Sequence, residues 1–408
     1  MTQHNTNYPT DTLTGAAKDV ADSLIKSYYN DAGKPGSVPG ILPDPYYWWE
    51  SGAVYDGLVN YWQLTGDDAH NAFVQEGLVW QLGSDDDYMP VNQTRTIGND
   101  DQMSWALAAM SAAERGFPTK EGAPSWGRVA ANVFDEQAQR WDDKTCGGGL
   151  RWQIYPFNNG YTYKNSIAQG LFFQLAARLA RFSGNQTYAD WAEKAYVWTQ
   201  QIGLIDQTNH VLDGADVAKN CSANSIEKTE WSNSAAAFLY GAAVMSNFTN
   251  NTSPWRSRTE KHLTSLTNVF FSPSNATSIL KEASCDTTAD CTTDARAYKA
   301  LALRWLAQTA LMAPWTADDI SDRLRRTAAA AAARCSQLRG GGLWECESLH
   351  VPGDTGLGEQ LVALDAIQAL LVSDAAPLAA ANATGNGTAT RAGGANGTAA
   401  AEASARPS

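Results

Sequence analysis

Apolar residues return at every third or fourth position along almost the whole chain. Ile167, Leu171, Leu175 and Leu179 form one such stripe, and Tyr298, Leu301, Trp305 and Thr309 trace another. That period gathers side chains on one face of an α-helix, whereas a half-buried strand needs strict alternation. The fold is therefore expected to be all-α, with little room for strands. Periodic segments with recognisable stops number about twelve. They lie near 12–29, 48–64, 67–82, 99–116, 124–141, 162–183, 186–202, 229–247, 254–271, 293–313, 316–335 and 356–373.

An even dozen reads as six helical hairpins. The turns Thr65-Gly66-Asp67-Asp68-Ala69-His70 and Ser183-Gly184-Asn185-Gln186-Thr187-Tyr188 share one design, a Gly ending a helix and a polar residue opening the next. Repeated hairpins must bury their apolar faces against neighbours, in an open solenoid or in a closed toroid. Periodicity alone leaves both open.

Long interruptions near 31–47, 142–161, 203–228 and 272–292 are rich in Gly, Pro, Asn and Asp. Loops of that length in a compact domain are usually functional or covalently pinned. The six cysteines are an even set without metal-ligand spacing, which favours disulfides over zinc. Many pairings are possible. Cys146–Cys221, Cys285–Cys291 and Cys335–Cys346 are favoured, because the first two lie in separate long loops and the second two close a short one.

Asn-x-Ser/Thr triplets begin at Asn92, Asn185, Asn220, Asn247, Asn250, Asn251, Asn275, Asn382, Asn386 and Asn396. With the cysteines they point to an oxidising, secreted environment. No charged-then-apolar leader opens the chain, which reads as a mature or trimmed form. From about Ala375 the composition collapses to small and polar residues. The expected organisation is a disordered segment at 1–11, one helical domain at 12–374 and a disordered linker at 375–408. Such tails commonly precede a lipid-anchor site, so membrane contact is expected only through an anchor of that kind.

A net charge of −13 argues against a polyanionic partner, and nucleic acid is not expected. Fifteen Trp and fifteen Tyr can serve a core, yet flat rings with a polar tip also suit sugar faces. His4, His70, His210, His262 and His350 form no ligand pair, and no phosphate loop or Gly-x-Ser-x-Gly segment is present. Neither a metal nor a cofactor is expected.

The segment Ile97-Gly98-Asn99-Asp100-Asp101-Gln102 runs from a loop into an apolar helix. Acidic residues at a helix start satisfy free N–H groups and suit the positive dipole end, and acidic doublets recur elsewhere in the chain, so capping is the stronger reading of this doublet alone. Glycosidase chemistry offers the competing one. Retaining enzymes need two carboxyls about 5–5.5 Å apart, and adjacent residues diverging from a turn can supply them.

Several further segments keep a definite order: Trp48-Trp49-Glu50-Ser51-Gly52-Ala53, Cys146-Gly147-Gly148-Gly149-Leu150-Arg151-Trp152-Gln153, Tyr163-Lys164-Asn165-Ser166 and Val211-Leu212-Asp213-Gly214. Together with the doublet, Cys285, Cys291, Cys335 and Gly356-Leu357-Gly358-Glu359-Gln360, they resemble glycoside hydrolase family 76 over about residues 12–373, most closely its fungal cell-wall branch. The resemblance implies an (α/α)6 toroid and a retaining mechanism on α-1,6-mannan, with Asp100 as nucleophile and Asp101 as general acid/base.

It also implies sugar contacts from Trp48, Trp49, Glu50, Gln102, Arg151, Trp152, Asn165 and Asp213. For Trp48 and Trp49 core packing competes, for Glu50 a helix cap and for Asp213 a turn. The expected partners are α-mannoside glycans, the mannose core of a glycolipid anchor and a β-glucan acceptor, met at the cell wall by a monomer. The chain departs from the family pattern at Ser232-Asn233-Ser234, after Trp231, and at His350, which puts subsite shape in question. Hydrolytic endo-mannanase activity and glycan binding without turnover are the alternatives.

Overall fold

The computed structural model describes residues 9–34, 36–251, 254–271, 278–339 and 341–380. Twelve helices lie among them: α1 Thr10–Tyr28, α2 Trp48–Thr65, α3 Asn71–Trp80, α4 Asn99–Arg115, α5 Trp126–Gln139, α6 Ser166–Ser183, α7 Gln186–Gln201, α8 Ser232–Phe248, α9 Trp255–Phe270, α10 Thr293–Met312, α11 Ala317–Ala332 and α12 Leu357–Ala369. Each expected helix is present within a few residues. The turn glycines act as anticipated, since Gly66 and Gly184 end α2 and α6 in the left-handed conformation.

The even-numbered helices pack in succession, and α12 returns against α2 to close the ring. The odd-numbered helices pad its outside. Composition explains the sorting: residues 232–246 of α8 are buried all round, as are all those of α12 and most of those of α6 and α10. Outer helices such as α5 and α11 bury one stripe. The toroid is thus closed, and its architecture is (α/α)6.

Charge is buried where the ring closes. Arg304 of α10 donates from Nη1 to Asp56 of α2 at 2.8 Å, and from Nε and Nη2 to Asp365 of α12 at 2.9 and 2.8 Å. Gly57 makes room, because a Cβ there would meet Arg304 Nη2 at 2.8 Å. On the other side Arg178 of α6 pairs with Glu114 of α4 at 2.7 Å.

Four details differ from expectation. The helix expected from residue 162 begins at Ser166, because β1 (Tyr163–Asn165) pairs antiparallel with β2 (Gly214–Asp216), which pairs with β3 (Ile226–Glu227). A second hairpin joins β4 (Cys335–Gln337) to β5 (Trp344–Cys346). At the N-terminus, α1 starts at Thr10 rather than 12, while residues 1–8 lie outside the described residues. At the other end packing continues past Asp374: Leu378 is 5% exposed within the core, and Arg181 donates to the Leu378 and Ala379 carbonyls. The remainder of the expected linker, 381–408, lies outside the described residues.

Disulfides join Cys146–Cys221, Cys285–Cys291 and Cys335–Cys346. Among the triplet asparagines, Asn92, Asn185, Asn220, Asn250 and Asn251 are exposed and Asn247 is half-buried; Asn275, Asn382, Asn386 and Asn396 lie outside the described residues. No helix among those residues is long and apolar enough to cross a membrane.

Candidate active site

The inner helices share one direction, so their N-termini meet at one end of the ring. A cleft of ≈ 480 Å³ opens there, lined from the first turns of α2, α4, α6, α8 and α10 by Trp48, Asp100, Ile167, Asn233 and Asp294, among others. Positive helix ends therefore face the space in which the carboxylates stand. Among the described residues no Lys, Arg or His lines the cleft. Aromatic walls come from Tyr47, Trp48, Trp49, Trp152 and Tyr298.

The doublet opens α4 as a tightly bonded turn. The Gly98 N–H donates to Asp101 Oδ2 at 2.6 Å, and the Asp101 N–H donates to Asp100 Oδ1 at 3.1 Å. Gly98 is required by space, since a Cβ would fall 2.4 Å from Asp100 Oδ1. Asn165, the cap of α6, donates from Nδ2 to Asp100 Oδ2 at 3.0 Å. Both oxygens of Asp100 thus accept N–H groups, while Asp101 Oδ1 has no protein partner among the described residues.

Burial disfavours both charges. It pushes Asp100 well above the usual carboxylate range, with the Asp101 charge adding and the Asn165 amide opposing. Asp101 is pushed up to about 6, again by burial, against the Gly98 N–H and with help from Asp294. The pair therefore shares a proton in mildly acidic solution. Two N–H groups donate to Asp100 and one to Asp101, so hydrogen bonding opposes the larger upward push that burial gives Asp100.

Of the residues read as sugar contacts, Trp48, Trp49 and Trp152 line the cleft. Trp48 stacks on Trp105 at 5.2 Å and donates to Gln81, and Trp49 donates to Asp294 Oδ1 at 2.9 Å. Asn165 meets the site through Asp100. The other four do not line the cleft. Glu50 is buried and caps α2 through the Tyr47 N–H at 2.7 Å. Gln102 is consumed by Asp87, Glu136, Gln137 and Arg140. Arg151 is paired with Asp142 at 2.8 Å beneath the loop it braces. Asp213 accepts from Tyr163 Oη at 2.6 Å and Trp231 Nε1 at 2.9 Å, so it ties β1 to the start of α8.

Asp294, Tyr298 and Asn233 stand in the cleft without having been singled out as contacts. Asp294 follows Thr292, the cap of α10, and reads as an ordinary acidic first turn. Its one sequence signal was position at the start of an inner helix. Of the departures from the family pattern, Asn233 lines the cleft, whereas Ser232 bonds buried Glu282 through Oγ at 2.6 Å. His350 bonds the Leu280 carbonyl at 2.7 Å, away from the cleft lining.

Glu50 supplies a test of burial. Desolvation pushes its carboxyl up to about 8, opposed by the Tyr47 N–H. A raised folded value means stability that is full below the unfolded value of about 4.3 and is lost as pH rises through about 8. Glu50→Gln keeps the cap acceptor and removes the titration. The unfolding free energy of the variant relative to the parent is expected to climb between pH 5 and 8, by at most about 1.4 kcal/mol per pH unit. A difference independent of pH would show that Glu50 does not titrate there.

Comparison with known proteins identifies the family and the fold. The family model Glycosyl hydrolase family 76 matches residues 12–382. The mannan endo-1,6-alpha-mannosidase DCW1 of Saccharomyces cerevisiae is 39% identical over 367 residues, 87% of this chain and 78% of that protein. DCW1 of Candida albicans is 40% identical over 360 residues, 86% and 78% respectively. The crystal structure of Dfg5 from Chaetomium thermophilum in complex with glucosamine superposes with a TM-score of 0.85 at 38% identity, covering 94% of this chain and 96% of that one. The fold is also that of an inactive variant of the α-1,6-mannanase GH76A of Salegentibacter, bound to α-1,6-mannotriose, with a TM-score of 0.67 and 15% identity over 88% of this chain and 99% of that one. With its family model spanning nearly the whole folded body and these relatives near 40% identity, the chain belongs to glycosyl hydrolase family 76.

Proposed function

We propose that this mannan-directed glycoside hydrolase acts by a retaining mechanism and passes its sugar to a second glycan. Asp100 attacks the anomeric carbon of an α-1,6-linked mannose, and Asp101 gives its proton to the departing glycosidic oxygen. A covalent mannosyl ester on Asp100 results. Asp101, now a carboxylate, takes the proton of an incoming hydroxyl, which releases the ester.

The observation that supports these roles is the asymmetry of the doublet. Asp100 has both oxygens fixed by N–H donors, as an anionic nucleophile requires, and Asp101 keeps one oxygen open for a proton. The proposed donor is the mannose core of a glycolipid anchor and the proposed acceptor a β-glucan, met outside the cell at the wall. The disulfides and exposed Asn-x-Ser/Thr sites fit that location. The aromatic walls of the cleft suit the face of an acceptor sugar as well as that of the donor.

The test is incubation with an α-1,6-mannoside donor, with and without a glucan oligosaccharide, and product identification by mass. Mannosylated glucan is the expected result, with kcat/KM falling as pH rises past the loss of the one proton that the Asp100–Asp101 pair holds together. Free mannosides alone would make the protein an endo-mannanase. Binding without turnover would leave a glycan-binding protein.

A further inference from the structure

The loop between Leu150 and β1 forms one rim of the cleft. Its Trp152 and Gln153 line the cleft, as do Gln93 and Thr96 from the segment before α4. Asn158 clamps these two rims together. Its Nδ2 donates to Gln153 Oε1 at 3.0 Å and to the Arg95 carbonyl at 2.9 Å, and its backbone N–H closes a turn on the Tyr155 carbonyl at 3.1 Å. Trp152 is held in turn, because its ring lies over Gly160, where a Cβ would meet it at 2.2 Å.

Phe157 adjoins this clamp and is 69% exposed. Leaving a Phe side chain in water forgoes about 1.5–3 kcal/mol of burial, so the fold gains little from it there. Its ring is not loose, however. It lies parallel to Tyr155, with centroids 5.3 Å apart and planes 6° apart, so Tyr155 backs one face while the side chain as a whole remains exposed. A backed, flat, apolar ring on a turn that Asn158 ties to the rim of a sugar-sized cleft has the form of a hexose platform.

We propose that Phe157, supported by Tyr155, is an outer carbohydrate subsite that stacks on a neutral sugar ring of a glycan whose reacting mannose sits at the doublet. The proposal rests on the glycosidase reading above. The ligand class follows from chemistry: the C–H face of a pyranose complements an aromatic face. A chain with net charge −13 also does not favour an acidic partner. The bond from Asn158 to Gln153, which lines the cleft, sets this ring beside the cleft rim and makes the occupant the same glycan rather than an unrelated one.

The test uses the full chain and α-1,6-mannooligosaccharides from the disaccharide to the hexasaccharide. Phe157→Ala is expected to raise KM for the longer donors roughly 3- to 10-fold, leaving kcat and all disaccharide parameters unchanged. Phe157→Tyr should retain most of the parent KM. Equal effects at every length, or none at any length, would overturn the proposal. Loss of binding to phosphatidylcholine vesicles with unchanged oligosaccharide kinetics would overturn it too, by making Phe157 a membrane contact. If the parent turns over no donor, calorimetric titration with the same series separates the two readings. Affinity that rises with length in the parent and not in Phe157→Ala supports the platform even where the catalytic reading fails.

Discussion

Asp100→Asn is expected to lower kcat by roughly 10⁴-fold or more, because it removes the atom that forms the covalent intermediate. The fold should tolerate it. Relief of a buried charge facing Asp101 is stabilising, since functional carboxylate pairs are commonly held at a cost to stability. Against this, both oxygens of Asp100 accept N–H groups, so an amide in its place sets one donor against another. The opposing effects should leave stability within about 1 kcal/mol of the parent. Asp101→Asn separates the two roles. With an aryl mannoside whose leaving group needs no proton, formation of the glycosyl intermediate should persist in Asp101→Asn and vanish in Asp100→Asn. Survival of turnover in Asp100→Asn would place the nucleophile elsewhere.

The helices were legible because their signals are local. A stripe such as Ile167, Leu171, Leu175 and Leu179 needs only its own segment, and Gly66 and Gly184 mark ends by a conformation that suits Gly. Closure was not legible from periodicity, and the expectation of a toroid came only from the family resemblance. Closure depends on α12 meeting α2 some 300 residues away in sequence, and a hairpin repeat stacks equally well without it. The site shows the same division. The doublet alone read as a helix cap and gained its catalytic reading from the family resemblance, whereas Asp294 looked like any acid in a first turn. Glu50 and Gln102, adjacent to cleft residues in sequence, turn away because a helix rotates successive side chains by roughly a quarter-turn. Sequence proximity to the doublet is therefore a weak guide to facing it.

Arg304→Leu is expected to be the most destabilising single change at the ring's seam, costing about 3–5 kcal/mol at neutral pH. Its guanidinium joins α10 to α2 and α12 through Asp56, Asp365 and the Ala53 carbonyl at 3.0 Å, all buried. Removing it strands two carboxylates in an apolar interior. Asp56 is held below its ordinary range by Arg304 in spite of burial, whereas burial raises Asp365 to about 6 against the same cation. For Asp56 the sign is that of a depressed acid: its contribution is present above an unfolded value of about 3.9 and is lost as pH falls through the folded value. Without Arg304 both acids prefer their neutral forms, so the penalty should shrink between pH 7 and pH 4. Replacing Asp56, Arg304 and Asp365 together by Leu should recover most of the loss, because an apolar set of similar volume needs no desolvated charge. Denaturant midpoints of the single and triple variants at both pH values decide the matter. A single-variant loss below about 1 kcal/mol at pH 7 would mean that apolar packing alone closes the ring. A triple variant no better than the single would mean instead that the ion triad fixes how α2, α10 and α12 meet, rather than merely avoiding unpaired charge.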